Sequence, residues 1–183
     1  MKRIEMTLSK SLLKVKITLF YCIFPIYAHA SYILIHMNQD QTNHLKAYGI
    51  AYYAIERNVV VDWLLNYEGG SFMMKYEKSI ADECNIRGVS FNIIADIQST
   101  KILQSIMSPS INQDVVKLEK APKIAIYSPK TKQPWDDAVT LALSYAEIPY
   151  EVIYDEEVLN NLLPIYDWIH LHHEDFTGQY GKF

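Results

Sequence analysis

The stretch Val59-Val60-Val61-Asp62-Trp63-Leu64-Leu65-Asn66-Tyr67-Glu68-Gly69-Gly70-Ser71 begins β-branched, becomes aromatic and aliphatic, and stops at a pair of glycines. Such side chains suit a pleated, half-buried surface and a glycine pair punctuates, so residues 59–67 are expected to form a strand ending at a plain turn. Upstream, residues 44–57 carry Leu45, Tyr48, Tyr52 and Ile55 at helical spacing, with Ala47, Ala51 and Ala54 beside them. Asn43 is placed to cap that helix, Asn58 to stop it, and Gly49 inside it fits a helix lying close on a sheet. Downstream, residues 76–87 read as a second helix with Gly88 as its C-cap, and residues 89–95 as a strand.

The rest of the chain continues this alternation. Residues 31–37 (SYILIHM) are the first strand, before the polar turn of residues 38–43, and residues 97–107 are a third helix ended by Ser108-Pro109. Residues 109–122 are polar, with little periodicity, and read as a linker. A strand at 123–127, a helix at 135–147, a strand at 150–154, a short acidic helix from Asp155 and an apolar strand at 166–171 follow. Strands alternating with helices of about 10–15 residues argue for parallel pairing through long crossovers. The expected fold is therefore α/β: a doubly wound, Rossmann-like parallel sheet with helices on both faces, divided as 31–108, linker 109–122 and an incomplete second half 123–183. Only eight residues, two of them glycines, follow Asp175, where a parallel strand would want a covering helix, so the C-terminal part is expected to be truncated and the chain a fragment of a longer protein.

Residues 1–30 stand apart. Lys2, Arg3, Lys10, Lys14 and Lys16 precede an apolar run at 17–27 and the small-x-small triplet Ala28-His29-Ala30, the order of a secretory signal. The run is shorter than the roughly 20 residues of a spanning helix, so cleavage after Ala30 and no stable membrane anchor are expected. The product would be exported, periplasmic or extracellular. Without the signal, 12 basic residues face 20 acidic ones, a net charge of −8, which disfavours nucleic acid as a partner. Cys84 is left without an intramolecular disulfide partner, and its helical setting reads as packing rather than nucleophilic chemistry.

Candidate chemistry concentrates at His170-Leu171-His172-His173-Glu174-Asp175. On a strand, His170 and His172 share a face and could hold a divalent metal, with Glu174 or Asp175 as a third ligand; no cofactor is assured. His173, Glu174 and Asp175 are candidates for acid–base catalysis, and His172 for ligand binding. On the rim of the expected parallel sheet, His36, Asp40, Glu68 and Asp155 join them as ligand-binding groups, beside Asp96, Ser128 and Lys130. Polar residues follow strands in every soluble α/β protein, so each has solvent or turn-making as its alternative role. The partner expected from this rim is a small-molecule ligand; nothing in the chain sets the oligomeric state.

Four segments carry a family resemblance: residues 43–52 (NHLKAYGIAY), 62–72 (DWLLNYEGGSF), 130–152 around Gln133-Pro134-Trp135-Asp136-Asp137, and 171–183 (LHHEDFTGQYGKF). Together they resemble a family of secreted bacterial proteins commonly labelled asparagine synthetase B. The sheet pattern is similar to the class I glutamine amidotransferase-like layer. The resemblance implies a hydrolase or amidotransferase-like enzyme, with a non-catalytic periplasmic binding module and an inactive fragment as the alternatives. Two departures accompany it: signal cleavage would expose Ser31 rather than a cysteine, and Gly69-Gly70-Ser71 lacks the following Asp-Ser of an ATP pyrophosphate loop.

Overall fold

The computed structural model describes residues 31–108, 110–128 and 138–171. The elements run β1 (Ser31–Ile35), α1 (His44–Glu56), β2 (Val61–Leu65), β3 (Ser71–Lys75), α2 (Lys78–Arg87), β4 (Asn92–Ala95), α3 (Asp96–Ile106), β5 (Asp114–Leu118), β6 (Ile124–Tyr127), α4 (Ala138–Ala146), β7 (Glu151–Ile153), α5 (Asp155–Leu159), a 3-10 turn (Leu163–Ile165) and β8 (Trp168–Leu171). Two strands absent from the sequence reading, β3 and β5, change the architecture. The first five strands form one sheet in the order β4-β1-β3-β2-β5, and every pairing in it is antiparallel. A doubly wound parallel sheet is therefore not the fold.

The correction originates in the glycine pair. Five residues separate β2 from β3, whereas a parallel neighbour needs a crossover of about a dozen or more. The chain reverses through positive φ at Asn66, Glu68, Gly69 and Gly70 (58°, 44°, 86° and 93°). Trp63 Nε1 donates to Gly70 O at 3.1 Å, and the register sets Trp63 opposite Phe72 and Leu64 opposite Ser71. β3 went unread because Phe72-Met73-Met74 is buried on both faces and shows no period of two. β5 lies in the segment read as a linker. It is an edge strand whose Asp114 and Lys117 dilute its apolar pattern.

The order β4-β1-β3-β2 drawn from β-α-β-β-α-β is the split-βαβ, ferredoxin-like arrangement, with β5 added outside β2. On one face Ile33, Ile35, Val61, Phe72 and Met74 pack beneath α1 and α2. On the other Leu34, Leu64 and Met73 pack beneath Ile106 of α3, with Ile102 and Leu103 alongside. Cys84 belongs to the first core, where burial pushes its thiol up to about 12, so it stays a packed thiol at neutral pH.

Among the described residues, parallel pairing is confined to a second, three-stranded sheet in the order β7-β6-β8. Leu143 of α4 packs on Ile124 and Ile126 there, and Tyr52 of α1 reaches the same cluster. Helix α1 thus lies between two sheets, which explains its buried face. Ala47, Gly49, Ile50, Ala51, Ala54 and Ile55 are buried, whereas Leu45 and Tyr48 of the expected stripe are exposed. Asn43 caps α1 as expected, its side chain accepting from Lys46 N at 3.2 Å, and Gly88 closes α2 at φ 68°. Gly49 makes its close approach to α4 rather than to a sheet: a Cβ there would lie 1.8 Å from Ala146 O.

Asp62 is an exception inside the antiparallel sheet. One carboxylate oxygen is buried without a hydrogen-bond partner among the described residues, at a cleft of about 380 Å³ that Tyr32, Lys75 and Lys117 also line. Burial pushes its carboxyl above the ordinary 3.8, and Lys117, its cross-strand partner, offsets part of this. A raised folded value favours the protonated form, so the contribution is fully present below 3.8 and is lost as pH rises through the folded value. Asp62→Asn should therefore stabilise the fold at neutral pH by ~1 kcal/mol, or a few degrees in Tm. Thermal melts across pH check this: the advantage should vanish below pH 3.8, and equal melting at neutral pH would refute it.

Candidate functional site

Three of the four groups expected on a common rim do meet, although the sheet is antiparallel. His36, Asp40 and Glu68 line one cavity of about 310 Å³ together with Asn38, Gln41, Ser90, Phe91 and Asn92. They come from the β1–α1 loop, the β2–β3 turn and the segment entering β4. Hairpin formation brings the turn to the loop: Met37 N donates to Glu68 O at 3.2 Å. A Cβ on Gly69 would sit 2.2 Å from Met37 O, so the turn docks this closely only because residue 69 is glycine.

The docked turn sets Glu68 against the imidazole. His36 Nδ1 is 2.5 Å from Glu68 Oε2, within ion-pair range. The carboxylate lies off the ring N–H direction, so Nδ1, itself buried, has no aligned hydrogen bond. Asn38 Nδ2 donates to the same Glu68 oxygen at 3.2 Å, and Asp40 N donates to Asn38 Oδ1 at 3.1 Å. Glu68 and Asp40 are both exposed toward solvent, while His36 is half-buried.

Gln41, given no functional role from sequence, holds the cavity together. It is buried, donates through Nε2 to His36 O (2.8 Å) and Ser90 O (3.1 Å), and accepts at Oε1 from Ser90 N (2.9 Å). One side chain thus joins the β1–α1 loop to the α2–β4 connection, with every bond made in a partly desolvated setting. His44 Nε2 adds contacts to Met37 O (3.2 Å) and Asn38 O (2.9 Å) from α1. Thr42 Oγ1 donates to Gly88 O at 2.7 Å. The only sequence signal for this bracket was a glutamine and a threonine between a strand end and a helix cap.

The remaining expected groups are elsewhere. Asp155 follows β7 in the small parallel sheet, where Tyr127 OH donates to its Oδ1 at 2.5 Å. It shares a sheet edge with Ser128, whose buried hydroxyl has no hydrogen-bond partner among the described residues. His170 lies within β8, paired with Ile126 of β6 and with its ring 6.5 Å from that of Trp168. His172, His173, Glu174, Asp175 and Lys130 lie outside the described residues, and with them the second half of the expected metal pair. Among the described residues there is no group of three or more His, Cys, Asp or Glu side chains able to hold a metal ion. No described helix is long and apolar enough to cross a membrane.

Comparisons with protein-family models, with curated proteins and with solved structures give no match for this chain.

Proposed function

We propose that the chain is an exported protein that binds a small polar ligand bearing a cationic nitrogen, in the cavity of His36, Asp40 and Glu68. The supporting observation is that these three groups arrive from two separate loops on one concave surface. Among the described residues that surface carries two carboxylates and no Lys or Arg, so its field favours an ammonium or guanidinium over an anion. Phe91 supplies an aromatic wall, and Asn38, Ser90 and Asn92 supply neutral donors and acceptors. Concave sites with a few convergent polar groups are where small ligands bind. Export rests on residues 1–30. The likeness to proteins labelled asparagine synthetase B supports a hydrolase or amidotransferase-like enzyme within this proposal, with a non-catalytic binding module or an inactive fragment as the alternatives.

Among the described residues the Asp40 carboxylate has no side-chain partner, whereas Glu68 is engaged by His36 and Asn38. Calorimetric titration with glycinamide, putrescine and arginine, with acetate and phosphate as anionic controls, tests the reading. At least one amine should bind, and Asp40→Asn should weaken it roughly tenfold, the low end for a charge-assisted hydrogen bond at an exposed site. Preference for the anions, or amine binding unchanged by Asp40→Asn, would refute it.

A further inference from the structure

We propose that His36 and Glu68 form a general-base dyad and that the cavity hydrolyses small carboxylic esters carrying an ammonium group. The proposal rests on the reading of this cavity as the ligand site and adds turnover to it.

The argument begins with the two ring nitrogens. Nδ1 is buried and has one carboxylate oxygen at 2.5 Å. The tautomer with its proton on Nδ1, facing the anion, has its lone pair on Nε2. Nε2 has no hydrogen-bond partner among the described residues and is not fully buried, and the ring belongs to the cavity lining. An imidazole with a carboxylate beside one nitrogen and the other nitrogen unpartnered in a cavity wall is arranged to take a proton from water. The off-axis Nδ1 contact is of the kind that tightens when a ligand closes on an apo site. Glu68 is the positioning residue: its backbone is tied to Met37, its side chain to Asn38, and the chain reaches it through a turn that glycine at 69 makes possible.

In the reaction, His36 Nε2 removes a proton from a water molecule whose oxygen bonds to the ester carbonyl carbon. Collapse of the tetrahedral intermediate breaks the C–O bond to the alcohol, which leaves with the proton held on His36. The carboxylic acid gives its proton to solvent. Asp40 holds the ammonium group and so sets which esters enter. Ester rather than amide follows from magnitude, because a positioned general base contributes about 10²–10⁴-fold. That suffices to raise ester hydrolysis clearly above its background, whereas an amine leaving group needs more assistance than this cavity shows.

The test is acid release from glycine ethyl ester by the full chain at neutral pH, followed at constant pH, with ethyl acetate as the neutral control. Wild type should exceed buffer by at least roughly tenfold and prefer the cationic ester. His36→Gln, purified in parallel, should fall to the buffer rate. Glu68→Gln should lower kcat about tenfold while KM stays within about twofold, a split that loss of ligand binding would not produce. Glycinamide binding with no ester turnover would overturn the dyad and leave the binding reading standing, as would full activity in His36→Gln. Absence of both binding and turnover would overturn both.

Discussion

Gly49→Ala should destabilise the protein by about 3 kcal/mol, lowering Tm by ~6–12 °C, although alanine is the better helix former. At an open helix position the change would gain about 1 kcal/mol. Here the added Cβ would lie 1.8 Å from Ala146 O and 2.9 Å from Ala146 C, both backbone atoms, and 3.1 Å from Arg87 Nη1. Backbone at a helix end cannot move aside as the tip of a side chain can, so the whole α1–α4 contact must open. That contact connects the two sheets: α1 packs on the antiparallel sheet through Ala47, Ile50 and Ala51, and α4 on the parallel one through Leu143. The loss should be uneven as well as large. Amide exchange should accelerate in β6, β7 and β8 more than in β1 and β3, because the larger core keeps α2 and α3. A variant within 1 kcal/mol of wild type, with uniform exchange, would mean that the helices do not approach at this glycine.

Local signals in the sequence carried further than the alternation rule. Asn43 and Gly88 marked helix ends correctly because a cap is a matter of two or three residues. The final apolar run does pair in parallel with β6, as its pattern suggested. What failed was the inference from alternation to topology. A strand, a turn and a second strand between two helices look, by residue type, like one strand and a loop when the second strand is Ser71-Phe72-Met73-Met74-Lys75 and buried on both faces. Positive φ at Glu68 is equally hard to foresee, since glutamate, unlike Asn66, is not a residue type that favours it. The site was legible in part for a reason the sequence argument did not contain. His36, Asp40 and Glu68 were chosen as strand-end polar groups on one parallel rim; they meet because a hairpin turn docks on a neighbouring loop. Asp155, grouped with them by the same rule, follows a strand of the other sheet and lies apart. Gln41 could not be singled out, since its importance lies in burial and in partners 49 residues away.

Arg87→Ala is expected to cost about 2–3 kcal/mol, with thermal unfolding as the measurement. The side chain is only 8% exposed and sits where α2 meets the end of α4. Its Nε lies 2.7 Å from Glu83 Oε1 and 3.2 Å from Glu147 Oε2, and Nη1 donates to Ala146 O at 3.3 Å. The guanidinium also faces the Tyr53 ring at 5.4 Å. Removing it leaves a buried carbonyl and a partly buried Glu83 without their donor, which outweighs the modest worth of the half-exposed Glu147 contact. Arg87→Lys should recover less than half of the loss, because one ammonium cannot reproduce a planar fork directed at two carboxylates and a carbonyl. The same cluster gives the effect a pH dependence. The Lys46 hydrogen bond, with Arg87 adding to it, holds Glu147 below the ordinary 4.5. A depressed folded value contributes stability that is present above 4.5 and lost as pH falls through the folded value. The gap between wild type and Arg87→Ala should therefore narrow in acid. A gap that widens below pH 4.5 would show that Glu147 takes no part in holding Arg87.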